Sequence, residues 1–146
     1  MNAGQLYAEN AGPAGINITV KREPSDGYWS NVWRIAPFSY AYWNARPTPD
    51  LMFSLVYVSD GRFNDTNWSN ERFDALITEA RSETDEALRR ELYGEAQAIV
   101  RDDGGPVIPL FQNLLHGLRD EIGHGEISGA GFYDNYMATR RWWFNA

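Results

Sequence analysis

Two consecutive amphipathic runs constrain this chain more than any other feature: "SNERFDALITEARSET" from Ser69 and "TDEALRRELYGEAQAIVRDDGG" from Thr84. In the first, Phe73, Leu76, Ile77 and Ala80 form one stripe with Glu and Arg opposite; in the second, Leu88, Leu92, Ala96, Ile99 and Val100 repeat the pattern. Ser69 or Asn70 can cap the first helix and Thr84 or Asp85 the second, and Gly104 with Gly105 ends the run. The spacing predicts a helical hairpin whose charged faces are solvated and whose apolar stripes cover a sheet.

The rest of the chain reads as an α/β alternation around that hairpin. Gln5 to Ala11 is rich in helix formers and stops at "AGPAG". "INITV", Ile16 to Val20, alternates apolar and polar residues with the period of a half-buried strand. "PSDGYWSNVWRIAP" predicts a short helix opened by Ser25 or Asp26, with Trp29, Val32 and Trp33 on one face, stopping before Pro37. "FSYAYW" reads as a second strand. "TPDLMFSLVYVS" is ambiguous by periodicity, although Thr48, Pro49 and Asp50 make a good helix start. "PVIPLFQNLLHGL", a short apolar run bounded by Gly and Pro, is a candidate buried strand.

Charge and motifs exclude several functions. With 13 basic residues scattered among 20 acidic ones and a net charge of -7, the chain lacks the concentrated basic face that nucleic acid requires. It has no cysteine, so no disulfide, thiol nucleophile or thiolate metal site is available. No apolar run approaches the length of a membrane span, and "MNAGQLYAENAG" has no export-signal pattern. His116 and His124 match no zinc spacing, and no P-loop, GxGxxG or GxSxG is present; neither metal nor cofactor is expected. His116 reads as a satisfied structural histidine, and the pair Asp102 and Asp103 as solvated carboxylates at a helix end. Enzyme chemistry has no positive support. The 14% of aromatic residues, with six Trp spread along the chain, suit a core, an interface or a ligand cavity.

Taken in order, "GINITVKREPSDGYW", "YW" followed by "RPTPDLMF", "FNDTNWSNERFDALITEAR", "ALRRELYGEAQAIVRDDGGPVIPLF" and the terminal "RWWF" resemble the C-terminal part of the family 5 extracellular solute-binding proteins of dipeptide, oligopeptide and nickel ABC importers. The resemblance runs from about Gln5 to the end. It implies part of the C-terminal lobe of a type II periplasmic-binding-protein fold, a mixed sheet flanked by helices including the hairpin. It further implies a division into residues 1–118, a partial ligand-binding lobe, and residues 119–146, a tail that returns to the N-terminal lobe, with the crossover near "GLRDEIGHG". Members are considerably longer, so the chain is expected to be a piece of such a protein, weak as a binder alone and prone to self-association. The full-length protein is expected in the periplasm or at the cell surface.

What the resemblance implies for function is capture without chemistry: two lobes close on a peptide-like or other small polar solute, and the closed form delivers it to the membrane permease. In peptide-binding members the position of Arg46 generally holds an aspartate for the peptide's α-ammonium, so charge is reversed here. An arginine fork suits a carboxylate or phosphate. The expected pocket is Tyr42, Trp43 and Arg46, with Asn64 or Asp65 as hydrogen-bonding groups and Trp68 as a stacking face. Asp50 either belongs to this wall or pairs with Arg46 on the first helical turn. For Asn64 and Asp65 in "DGRFNDTNW" the alternative is an ordinary polar turn. The rival functions are a carbohydrate-binding module, against which the two helices count, and a small acid/base hydrolase using Asp50, Asp60 or Asp65.

Overall fold

A computed structural model describes residues 2–129 and 131–145. The chain divides into two units, Met1–Tyr42 and Trp43–Ala146. In the first, α1 (Asn2–Ala11) runs into a 3-10 turn at Gly12–Ala14. Gly15, at φ 80°, closes that turn by donating its N–H to the Gly12 carbonyl, in a conformation that other residues adopt only under strain. The aromatic segment yields a shorter helix than its pattern predicts, α2 (Tyr28–Asn31). Its N-cap is Gly27, at φ 77°, and neither Ser25 nor Asp26 supplies a capping side chain. Val32 and Trp33, expected on one face of that helix with Trp29, lie beyond its end, yet Trp29 and Trp33 meet edge to face at 5.7 Å, and Trp29 makes the same contact with Tyr42.

The second unit holds the core. Thr48 caps α3 (Pro49–Met52), its hydroxyl accepting from the Leu51 N–H, and the chain continues as a π-helix over Phe53–Tyr57. The ambiguous apolar segment is therefore helical. The predicted hairpin is present as α4 (Glu71–Ser82) and α5 (Glu86–Asp103). Of the alternative caps, Asn70 accepts from Phe73 N–H at 3.0 Å, and Asp85 accepts from Ala87 and Leu88 N–H at 2.8 and 3.1 Å. Phe73, Leu76, Ile77 and Ala80 are fully buried, and with Phe53, Leu92 and Ala96 they make the core. Burying a side chain the size of Leu or Phe contributes about 1.5–3 kcal/mol, so this cluster is the main stabilising element of the unit. Leu88, expected on the stripe, is 42% exposed: it lies in the first turn of α5, at the closed end of the hairpin, where the short connection leaves it uncovered.

The sheet departs from expectation. Among the described residues it is two-stranded and antiparallel, β1 (Ile122–Gly123) against β2 (Trp143–Phe144), with Ile122 opposite Phe144 and Gly123 opposite Trp143. The runs 16–20, 38–43 and 106–118 carry no strand. Alternation specifies which face a strand would bury but cannot supply the neighbouring backbone that a ladder needs, and among the described residues none pairs with them. The hairpin's stripes consequently cover each other and the Phe53–Tyr57 helix rather than a sheet. Between the two strands lie α6 (Phe132–Tyr136), whose Tyr133, Asp134 and Asn135 take left-handed φ of 49–60°, and α7 (Ala138–Arg141). Asp134 is buried there, accepting from Ser128 N–H and Arg141 Nη1, both at 2.8 Å. Among the described residues no helix is long and apolar enough to cross a membrane.

Candidate functional site

The segment between the π-helix and α4 is the polar loop singled out in the sequence, and its geometry starts from Asn64. This side chain is 5% exposed, and its amide donates to the carbonyls of Val58 (3.2 Å) and Trp68 (2.7 Å). It thus ties the end of the π-helix to the start of α4, which gives the turn reading of this loop a physical basis. Thr66 completes the turn, its hydroxyl accepting from Trp68 N–H at 3.4 Å.

Around that clamp, three of the other candidate residues have defined partners. Asp65 accepts from the indole N–H of Trp43 at 3.2 Å, and Trp43 meets Phe63 edge to face at 6.2 Å. Arg62 lies over the Phe63 ring at 5.2 Å. Burial, and after it the Asp65 charge, push the Tyr57 hydroxyl above the ordinary tyrosine value. Trp43, Phe63 and Asp65 therefore form an aromatic patch with a carboxylate in it. Phe63 was not expected in it; Tyr57, whose ring meets Phe53 at 5.9 Å, stands on the π-helix, which aperiodic apolar residues do not announce. Trp68 packs its ring on Phe73 at 5.2 Å and donates its indole N–H to Asp103 at 3.2 Å.

The suggested Arg46–Asp50 pair is not formed. Asp50 is held by Arg81 in a two-pronged ion pair, Nε to Oδ1 at 2.7 Å and Nη2 to Oδ2 at 3.2 Å, and that hydrogen bonding raises the Arg81 pKa. Ser54 joins the pair, its hydroxyl donating to the Asp50 carbonyl at 2.7 Å and receiving from Arg81. Burial first, then the Asp50 charge, raise the Tyr93 pKa at the same place. The pair wins because Arg81 lies on the last turn of α4, where it spans two helices in fork geometry that Arg46 in the preceding loop does not match. Arg46 instead turns Nη1 back onto the carbonyls of Asn44 (2.9 Å) and Ala45 (3.3 Å), half-buried, with no carboxylate within ion-pair distance among the described residues. Tyr42 belongs to the first unit and packs on Trp29.

Elsewhere, Asp102 and Asp103 are both exposed but have separate partners: Asp102 pairs with Arg101 at 2.6 Å, while Asp103 receives Trp68 and Asn70. His116 accepts from Tyr133 N–H at 3.3 Å, so it has the structural partner its setting suggested. A shallow groove of about 270 Å³ is lined by Glu126, Ile127, Ser128, Gly129 and Arg141, away from the aromatic patch in sequence.

Comparison with known proteins supplies the context for this patch. Over 82 residues, 56% of the chain, it is 32% identical to the probable deoxycholate-binding periplasmic protein YgiS of Escherichia coli strain K12. Over 73 residues, 49% of the chain, it is 29% identical to the dipeptide-binding protein DppE of Bacillus subtilis strain 168. The oligopeptide-binding protein OppA of the same organism is 38% identical over 63 residues, 43% of the chain. All three are family 5 solute-binding proteins. The similarity of the chain is to members of that family. The aligned stretches are 15%, 13% and 11% of the lengths of these relatives, so the chain corresponds to a small part of each solute-binding protein. No family model and no solved structure matches the chain.

Proposed function

We propose that this chain forms part of the C-terminal lobe of an ABC-importer solute-binding protein with a type II periplasmic-binding-protein fold, and acts by binding rather than by catalysis. The complete protein captures a peptide-like or other small polar solute outside the cytoplasmic membrane and delivers it to the permease. Residues 119–146 are the segment that returns to the other lobe. The observation that carries this reading is the similarity to three proteins of one family, each named for the solute it binds.

Within the second unit, the patch around Trp43 supports a place for the solute: a carboxylate and aromatic rings converge at the loop that α3 and α4 frame. Trp43, Asp65 and Trp68 contact the solute, and Arg46 meets an anionic or polyhydroxyl part of it, since two backbone carbonyls already fix one nitrogen of its fork and leave the rest to bind. Asp50 and Asn64 hold the wall in shape from behind, the first through Arg81 and the second through the loop carbonyls.

The test is saturation-transfer NMR, which detects weak complexes, with trialanine and with deoxycholate, the solute classes in the relatives' names. At least one probe is expected to receive magnetisation from the native chain, and Arg46→Ala is expected to reduce it. Failure of both probes to do so would remove the reading.

A further inference from the structure

We infer that Asp103 is a positioning residue, one that sets the ring of Trp68 for the solute; this rests on the reading above that Trp68 faces it. Asp103 is the last residue of α5, yet it acts on a loop thirty-five positions earlier. Its Oδ2 accepts from Trp68 Nε1 at 3.2 Å and from Asn70 Nδ2 at 3.1 Å. Asn70 is itself immobilised as the cap of α4, so the carboxylate is held from a fixed point rather than swinging in solvent.

The backbone of Trp68 is pinned on both sides, its N–H to Thr66 and its carbonyl to Asn64. What remains free is rotation of the side chain, and the bond to Asp103 together with the edge contact on Phe73 removes it. The sequence after Asp103 allows the approach. A Cβ on Gly105 would collide with the Thr66 side chain and press on the Cβ of Trp68, and one on Gly104 would collide with the Val100 carbonyl oxygen.

A chemical consequence follows for what the ring can offer. Trp68 has given its indole N–H to Asp103, and Trp43 has given its own to Asp65. Both therefore meet a ligand with ring surface rather than as hydrogen-bond donors, which suits the apolar or CH-rich part of a solute.

The experiment labels the full chain with fluorotryptophan and follows fluorine NMR during titration with trialanine and with deoxycholate, the Trp68 signal being assigned by Trp68→Phe. Asp103→Ala is expected to move the Trp68 signal in the free chain and to weaken the probe's effect on it about fivefold, the size of one lost hydrogen bond. Asp103→Asn, which still presents an acceptor, is expected to restore both, a rescue that a general loss of stability would not give. Should Asp103→Ala lose helix content by circular dichroism, Asp103→Glu takes its place, keeping the charge but displacing the acceptor by one methylene. An Ala or Glu variant whose Trp68 signal responds like that of the native chain overturns the inference. If the probes move the Trp43 signal but not that of Trp68, the inference falls while the solute reading stands; if they move neither, both fall.

Discussion

At the scale of single residues, the pattern that stands out is that each polar side chain near the aromatic patch is assigned by its neighbours in space and not by its type. Asp50, Asp65 and Asp103 are chemically the same group. One is paired with Arg81, one accepts the indole N–H of Trp43, and one accepts that of Trp68. The Tyr57 hydroxyl provides a pH test of this placement. Its pKa is raised by burial and then by the Asp65 charge, so the folded state favours the neutral phenol. Its contribution to stability is therefore complete below the ordinary tyrosine value of about 10 and declines as pH rises past it toward the higher folded value. Alkaline denaturation monitored by circular dichroism should begin above about pH 10 and shift upward in Tyr57→Phe. Asp65→Asn should lower the Tyr57 value in a phenolate absorbance titration without returning it to that of free tyrosine, since burial remains the larger cause. An Asp65→Asn chain with an unshifted titration would show that the two groups are not electrostatically linked.

At the scale of elements, the α4–α5 hairpin is the part of the fold whose periodicity, caps and termination agree. Asn70 and Asp85 close the N-termini with side-chain oxygens, and the stripe from Phe73 to Ala80 is buried without exception among its four members. Substitution should therefore separate residues that share a hydrophobic pattern. Leu76→Ala, at a site with no exposed surface, is expected to cost about 2–5 kcal/mol, whereas Leu88→Ala, at an exposed site in the first turn of α5, should stay within about 0.5 kcal/mol. Denaturant melts of the two variants make the comparison, and equal losses would contradict the packing described. The apolar run at residues 106–118 and the alternating run at 16–20 represent the opposite case. They have strand composition, but a strand is completed by another strand, and hydrogen bonding with a distant segment is not encoded in the local period.

At the scale of the whole molecule, the consequence of those unpaired runs is apolar surface. Phe111 is 92% exposed and Leu115 88%, with Val107, Ile108 and Leu110 exposed around them. Grouped large apolar side chains on a surface favour association, so the chain is expected to self-associate as its concentration rises, despite its net charge of -7. Light scattering coupled to gel filtration should find more than one copy per particle, and Phe111→Glu with Leu115→Glu should return it to a single copy. A single copy for the native chain at every concentration would count against association through this run. By itself the sequence determined the hairpin with its buried stripe, the helical start at Thr48, the stop after α1 and the resemblance to solute-binding proteins, because each is written in the spacing of nearby residues. It placed Trp43, Asp65 and Trp68 among the candidate binding residues from that resemblance, but not their partners. Only the tertiary structure decided that Asp50 answers Arg81 rather than Arg46, that Phe63 joins Trp43, that Asp103 reaches Trp68, and that the sheet among the described residues is a two-stranded pairing near the C-terminus. The physical reason is common to all four: helical periodicity and capping act over a few residues, whereas ion pairs, ring contacts and strand ladders join positions whose separation in sequence says nothing of their distance in space.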